Sequence, residues 1–85
     1  MNPVPEIKRF VLRALNRTDG LPMPDSSLNH AINLAVVPRP LGSDVSQAKR
    51  ELEQDEFIQG QKDELDGIVT WTLTVKGKHK AGQLG

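Results

Sequence analysis

The chain has 85 residues and no cysteine, and its 11 Lys and Arg balance 11 Asp and Glu, so its formal net charge is zero. This length supports one domain, and the lack of cysteine excludes disulfides and thiolate metal sites and fits a reducing compartment. No apolar run approaches the roughly 18 residues of a membrane span, and the first residues do not resemble a signal peptide. We therefore expect one small cytoplasmic domain without a membrane partner.

The charges are unevenly distributed along the chain. Residues 1–40 carry five basic and three acidic groups, residues 41–75 carry three basic and eight acidic groups, and residues 76–85 carry three lysines. A protein that binds DNA through phosphates alone would be more basic than this.

A first helix is predicted between a capping Asn2 and Gly20, because apolar residues recur there at helical spacing. Its outer stripe of Arg9, Arg13 and Arg17 is interpreted as a solvated face. The core-facing residues are Val4, Ile7, Val11, Ala14 and Leu15.

The segment 21–24 is expected to be extended, since each of its two prolines restricts the residue before it. Asp25 is then predicted to cap a second helix, which should stop near Val36 because Pro38 and Pro40 follow. Its apolar face comprises Leu28, Ala31, Ile32 and Ala35.

A third helix is predicted over residues 43–55, with Ser43 as its N-cap. Val45, Ala48 and Leu52 should face the core. The outward residues are then Ser46, Gln47, Arg50 and Gln54, with Lys49 and Glu53 on the flanks.

Two strands follow, at 57–62 and 68–73, and Asp66-Gly67 between them predicts a two-residue type I′ turn. That turn would pair Lys62 with Trp71 and Gly60 with Leu73, which places the apolar side chains on one face. Trp71 should be buried there. Residues 78–85 are expected to be a flexible basic tail following a domain at 1–77, and the alternative is one helical turn after Thr74.

The stretch from Gly42 to Gly77 resembles the winged helix-turn-helix family. The resemblance rests on Ser43 to Glu53, on Phe57-Ile58, and on the closing run Trp71-Thr72-Leu73-Thr74-Val75-Lys76-Gly77. It implies an α+β fold of three helices plus a C-terminal β-hairpin wing. Two departures stand out: Glu56 replaces a common glycine, so the end of the third helix must adopt a costlier conformation, and the wing tip Asp63-Glu64-Leu65-Asp66 is acidic.

The resemblance implies a DNA-binding domain of the transcription-regulator type, with 43–55 as recognition helix and double-stranded DNA as partner. Arg and Gln are side chains that read guanine and adenine edges. The predicted DNA-binding residues are Ser43, Ser46, Gln47, Lys49, Arg50 and Arg39, of which Ser43, Lys49 and Arg39 would hold phosphates.

The alternative is a winged-helix module that binds a protein and not DNA, an interpretation favoured by the acidic wing and the zero net charge. No motif indicates an enzyme. Neither His30 nor His79 has metal-ligand spacing, so no cofactor or metal is expected.

Overall fold

The computed structural model describes residues 2–18 and 20–84, which form four helices and one three-stranded antiparallel sheet. The strand order in the sheet is β1-β3-β2. In chain order the elements are α1 (Val4–Asn16), β1 (Met23–Pro24), α2 (Asp25–Ala35), α3 (Gly42–Gln54), β2 (Ile58–Lys62), β3 (Val69–Leu73) and α4 (Val75–Gln83).

The core lies where the three predicted helices meet one face of the sheet. The predicted inward residues of α3 are all buried, and Trp71 is buried as expected, with 9% of its surface exposed. In α2 the periodicity overstates the buried face, since Ala35 is exposed. The fully buried large side chains are Ile7, Val11, Leu15, Leu28, Ile32, Leu52 and Ile58.

The predicted hairpin register is wrong by two residues. Gly60 pairs with Trp71 and Ile58 with Leu73, where Lys62–Trp71 and Gly60–Leu73 were expected. The connection between the strands is longer than the predicted two-residue turn. It is stabilised by Asp63, whose Oδ1 accepts from the amides of Leu65 (2.7 Å) and Asp66 (3.2 Å). Gly67 alone in this loop has a positive φ, of 73°, whereas a type I′ turn needs two such residues.

The observed register also gives Trp71 the space that it requires. Its ring lies over Gly60, where an added Cβ would come within 2.7 Å of Cζ3. A shift by two residues leaves every side chain on its original face of the sheet. The predicted apolar face is therefore correct although the pairing is not.

The end of α3 adopts the costly conformation that the missing glycine implied. Glu56 has a φ of 64°, and its amide donates to the carbonyl of Glu53 (3.0 Å) while the amide of Phe57 donates to that of Leu52 (2.9 Å). This is the hydrogen-bond pattern of a Schellman C-cap, whose left-handed position is usually glycine.

We expect Glu56→Gly to raise the free energy of unfolding by about 1 kcal/mol, because glycine carries no Cβ penalty in the left-handed region. Urea unfolding followed by circular dichroism measures the change. Asp55→Gly is the matched control, since Asp55 has a φ of −82° and gains no such relief. Equal effects at both positions would contradict the explanation.

The sequence predicts a flexible tail for residues 78–85, and the structure has a helix over most of that segment. Residues 78–83 continue α4, in which Ala81 is buried, and Leu84 packs against the core. Arg13 Nη2 of α1 donates to the Leu84 carbonyl at 3.3 Å. Gly85 lies outside the described residues. The domain thus has a fourth helix, which the sequence prediction of three helices did not include.

Thr74 and Gly77 have structural roles in the closing run Trp71 to Gly77. Thr74 is the N-cap of α4, and its hydroxyl oxygen accepts from the amide of Gly77 at 2.9 Å. A Cβ on Gly77 would lie 1.9 Å from the carbonyl oxygen of Phe57. The first turn of α4 therefore packs against the Phe57 backbone, between α3 and β2, at a distance that only glycine allows.

Candidate nucleic-acid interface

The outward face of α3 carries four of the six predicted site residues. Ser43, Ser46, Gln47 and Arg50 are all exposed, and residues spaced by three and four positions share one side of a helix. Ser43 does not cap this helix. Leu41 occupies the N-cap position without a side-chain cap bond, and Ser43 is the second residue of the helix.

Arg39 is exposed in the connection between α2 and α3. It borders a groove of about 230 Å³ together with Val37, Pro38, Leu41 and Asp44. The guanidinium therefore belongs to the segment that leads into α3, on the approach to its N-terminus.

Lys49 does not have the environment of a phosphate-binding residue, so that sequence interpretation is corrected. It is only 8% exposed, and its Nζ donates to Asp25 Oδ1 at 2.6 Å and to Asn29 Oδ1 at 2.7 Å. A buried ammonium must be paired, and here α2 supplies both partners.

Asp25 joins three elements through one carboxylate. Besides the bond from Lys49 of α3, its Oδ1 accepts from Trp71 Nε1 of β3 at 2.7 Å, and its Oδ2 accepts from Asn29 Nδ2 at 3.2 Å. Asp25 is the first residue of α2 and not its N-cap, which is Pro24. The four residues Asp25, Asn29, Lys49 and Trp71 are called the polar cluster below.

The sequence indicates separate roles for Asp25, Lys49 and Trp71 and none for Asn29, so their association was not predicted. One signal was available: on a helical projection, Lys49 adjoins the buried face that contains Ala48 and Leu52. Its partners lie 20 and 24 residues away, beyond the reach of local periodicity.

The opposite flank of α3 carries a second ion pair. Glu51 Oε1 lies 2.6 Å from Lys8 Nζ of α1, and Glu51 Oε2 accepts from Gln47 Nε2 at 2.7 Å. These hydrogen bonds from Lys8 and Gln47 lower the pKa of Glu51 against the opposing effect of burial. The Glu51 carboxylate therefore links α3 to α1.

The pKa of Asp25 is also lowered. Burial by itself would raise it, but the hydrogen bonds from Lys49 and Trp71, the charge of Lys49 and the bond from Asn29 together outweigh burial. The carboxylate form is therefore favoured in the folded protein.

A carboxyl group with a lowered folded-state pKa stabilises the fold above its unfolded pKa, near 3.8 for Asp25, and that contribution is lost as the pH falls through the folded value. We expect the free energy of unfolding to decrease from about pH 5 downward, with a shallower decrease in Asp25→Asn. Urea unfolding at several pH values measures this, with Glu51→Gln to account for the second lowered carboxyl. Identical pH profiles for wild type and Asp25→Asn would contradict it.

The wing tip combines negative charge with an exposed apolar side chain. Leu65 is 98% exposed between Glu64 and Asp66. The carboxylate of Asp66 accepts from the amide of Ile68 at 2.8 Å, as that of Asp63 accepts from Leu65 and Asp66. These acidic residues thus shape the loop as well as charging it.

Among residues 2–18 and 20–84, potential ligands are not grouped in threes or more where a metal ion could bind. Within the same residues, no helix has both the length and the apolar character needed to cross a bilayer.

The arrangement of helices, short first strand and β-hairpin is that of a winged-helix domain. Two structures of mutant ZitR from Lactococcus lactis share it. A double mutant in apo form matches with a TM-score of 0.69 and 20% identity, over 94% of this chain and 55% of that chain. A single mutant matches with a TM-score of 0.68 and 20% identity, over 92% and 48%.

At this identity the likeness establishes the fold, and the present chain spans about half the length of the ZitR chains. No family model matches the sequence, and the search of curated proteins finds no match.

Proposed function

We propose that this chain is a winged-helix DNA-binding domain of the transcription-regulator type, with α3 as its recognition helix. The observation that carries the proposal is the composition of the exposed face of α3. Ser46, Gln47 and Arg50 project from it, and these are side chains able to hydrogen-bond base edges in the major groove. The likeness to ZitR supports the winged-helix fold that this assignment requires, because the matching part includes nearly the whole chain.

Phosphate contacts would come from Arg39 and Ser43. Both are exposed, Ser43 in the first turn of α3 and Arg39 in the connection before it. The N-terminal part of a recognition helix is the part that enters the groove. Lys49 is not included in this set, because its ammonium is held by Asp25 and Asn29.

A duplex site selected from a random pool provides the test. We expect Arg50→Ala to weaken binding to that site by about 1–3 kcal/mol and to relax discrimination at one base position, because a bidentate base contact is lost. Arg39→Ala should weaken all sequences alike and reduce the salt slope by about one unit. Fluorescence anisotropy at several salt concentrations measures both effects.

Arg9→Ala is the matched control, since Arg9 is an exposed arginine on α1. The three variants should unfold at the same urea concentration. An Arg50→Ala protein that binds the selected site as tightly as the Arg9→Ala protein would contradict the assignment of α3.

The acidic wing modifies this interaction. Carboxylates close to the duplex repel its phosphates, so removing one should tighten non-specific binding. Glu64→Gln is the suitable variant, because Asp63 and Asp66 hold the loop backbone through their carboxylates.

A second candidate function is protein recognition through the wing, and Leu65 is the observation that favours it. A side chain 98% exposed on a hydrogen-bonded loop could enter an apolar pocket of a basic partner with little further ordering. Leu65→Ser separates the two functions. It should leave duplex affinity unchanged if α3 reads DNA. It should abolish binding of the protein partner if the wing is the recognition surface.

A further inference from the structure

We propose that the two ion pairs flanking α3, Lys49–Asp25 and Lys8–Glu51, are a positioning device that fixes the rotation of α3 about its axis and so directs Ser46, Gln47 and Arg50 outward. This inference rests on the proposed function, because it assumes that Ser46, Gln47 and Arg50 contact DNA. The ion pairs themselves would not touch the duplex.

The geometry of the helix places the two anchors symmetrically. At 3.6 residues per turn, Lys49 and Glu51 lie about 100° to either side of Arg50. The exposed residues Ser46 and Gln47 fall inside that arc, and the buried residues Val45, Ala48 and Leu52 fall outside it. The run Lys49-Arg50-Glu51 therefore has one solvent-facing residue between two anchored ones.

The buried anchor is the polar cluster, which forms a closed ring. Lys49 donates to Asp25 and Asn29, and Asn29 in turn donates to Asp25. Asp25 directly follows β1, whose Met23 pairs with Trp71. The indole of Trp71 donates to the carboxylate of Asp25. One ring thus joins α3 to α2 and to the sheet that carries the wing.

The outer anchor joins α3 to α1. Lys8 is partly buried and lies 2.6 Å from Glu51, and Glu51 also holds Gln47, one of the proposed base-reading residues. Two further features make these anchors important. The N-terminus of α3 has no side-chain cap, and of its three buried apolar residues only Leu52 is large, so the ion pairs add to the apolar packing that defines the rotation.

Lys49→Met tests the proposal, because methionine keeps most of the side-chain volume and removes the ammonium. We expect affinity for the selected duplex to fall by about tenfold or more, since base contacts are displaced, while the salt slope stays unchanged. The same substitution in an exposed lysine of α4, Lys80→Met, is the control. Affinities are corrected for the folded fraction measured in urea.

Two outcomes of that titration would overturn the proposal. One is an equal loss on selected and unselected DNA with a salt slope lower by about one unit, which identifies a phosphate contact. The other is unchanged affinity of the folded fraction, which identifies a purely structural cluster.

Residual dipolar couplings of the backbone amides give a readout that needs no DNA. We expect the couplings of α3 to change relative to those of α1 in Lys49→Met and not in Lys80→Met. Asp25→Asn, which retains an oxygen acceptor for Trp71, serves if Lys49→Met does not fold. Unchanged couplings would overturn the positioning role. A reoriented α3 in a protein whose wild type binds no duplex would overturn the proposed function and leave the positioning role intact.

Discussion

Trp71→Ala is expected to lower the free energy of unfolding by about 3–5 kcal/mol, the range for removing a buried large aromatic side chain. Trp71 is 9% exposed, its ring packs over Gly60, and its indole nitrogen donates to Asp25. Its loss opens a cavity beneath the sheet and leaves the polar cluster without one donor. Such a loss is a large part of the total stability of a domain this small.

Urea unfolding followed by circular dichroism measures the effect, with Trp71→Phe as the matched control. Phenylalanine retains an aromatic ring but donates no hydrogen bond, so we expect a smaller loss than for alanine. A Trp71→Ala protein as stable as the wild type would contradict the packing of the sheet on the helices.

Gly77→Ala is expected to destabilise the domain by about 3 kcal/mol, the upper part of the usual range for overpacking. The new Cβ would lie 1.9 Å from the Phe57 carbonyl oxygen. That carbonyl is held in place because it accepts from the amide of Thr74 at 3.1 Å. The clash must therefore move α4 away from the Phe57 backbone.

Gly82→Ala is the matched control within the same helix. A Cβ at Gly82 meets nothing within 4 Å, so the higher helix propensity of alanine should stabilise the protein by about 0.5–1 kcal/mol. Thermal unfolding of the two variants should shift in opposite directions. A shift of the same sign in both would contradict the close approach at Gly77.

Hydrophobic periodicity predicted the three main helices and the inward face of α3, because these features depend on residues three or four positions apart. It could not determine the hairpin register. Pairings that differ by two residues place the same side chains on the same face, so apolar segregation fits both. The side-chain bonds of Asp63 and the space over Gly60 determine which pairing forms.

The full length of α4 was not predicted, because this helix packs through small residues. Gly77, Ala81 and Leu84 recur at helical spacing, but two of the three contribute almost no hydrophobicity. The close contact at Gly77 and the Thr74 cap depend on backbone positions that periodicity does not encode.

The candidate site was predicted in part. The residues that face outward from α3 follow from its apolar positions, and Ser46, Gln47 and Arg50 are where that argument placed them. Lys49 is different because its environment depends on side chains from α2 and β3. A flank residue one position from the core can bind a phosphate or a buried carboxylate, and only the tertiary arrangement decides between them.

Titration of the wild-type protein with a random pool of duplex DNA, at low and at high salt, tests the central claim most directly. We expect binding at low salt, an affinity that falls linearly on a logarithmic plot as salt increases, and enrichment of particular sequences after selection. Absence of duplex binding at low salt, where electrostatic screening is weakest, would contradict the assignment of α3 as a recognition helix.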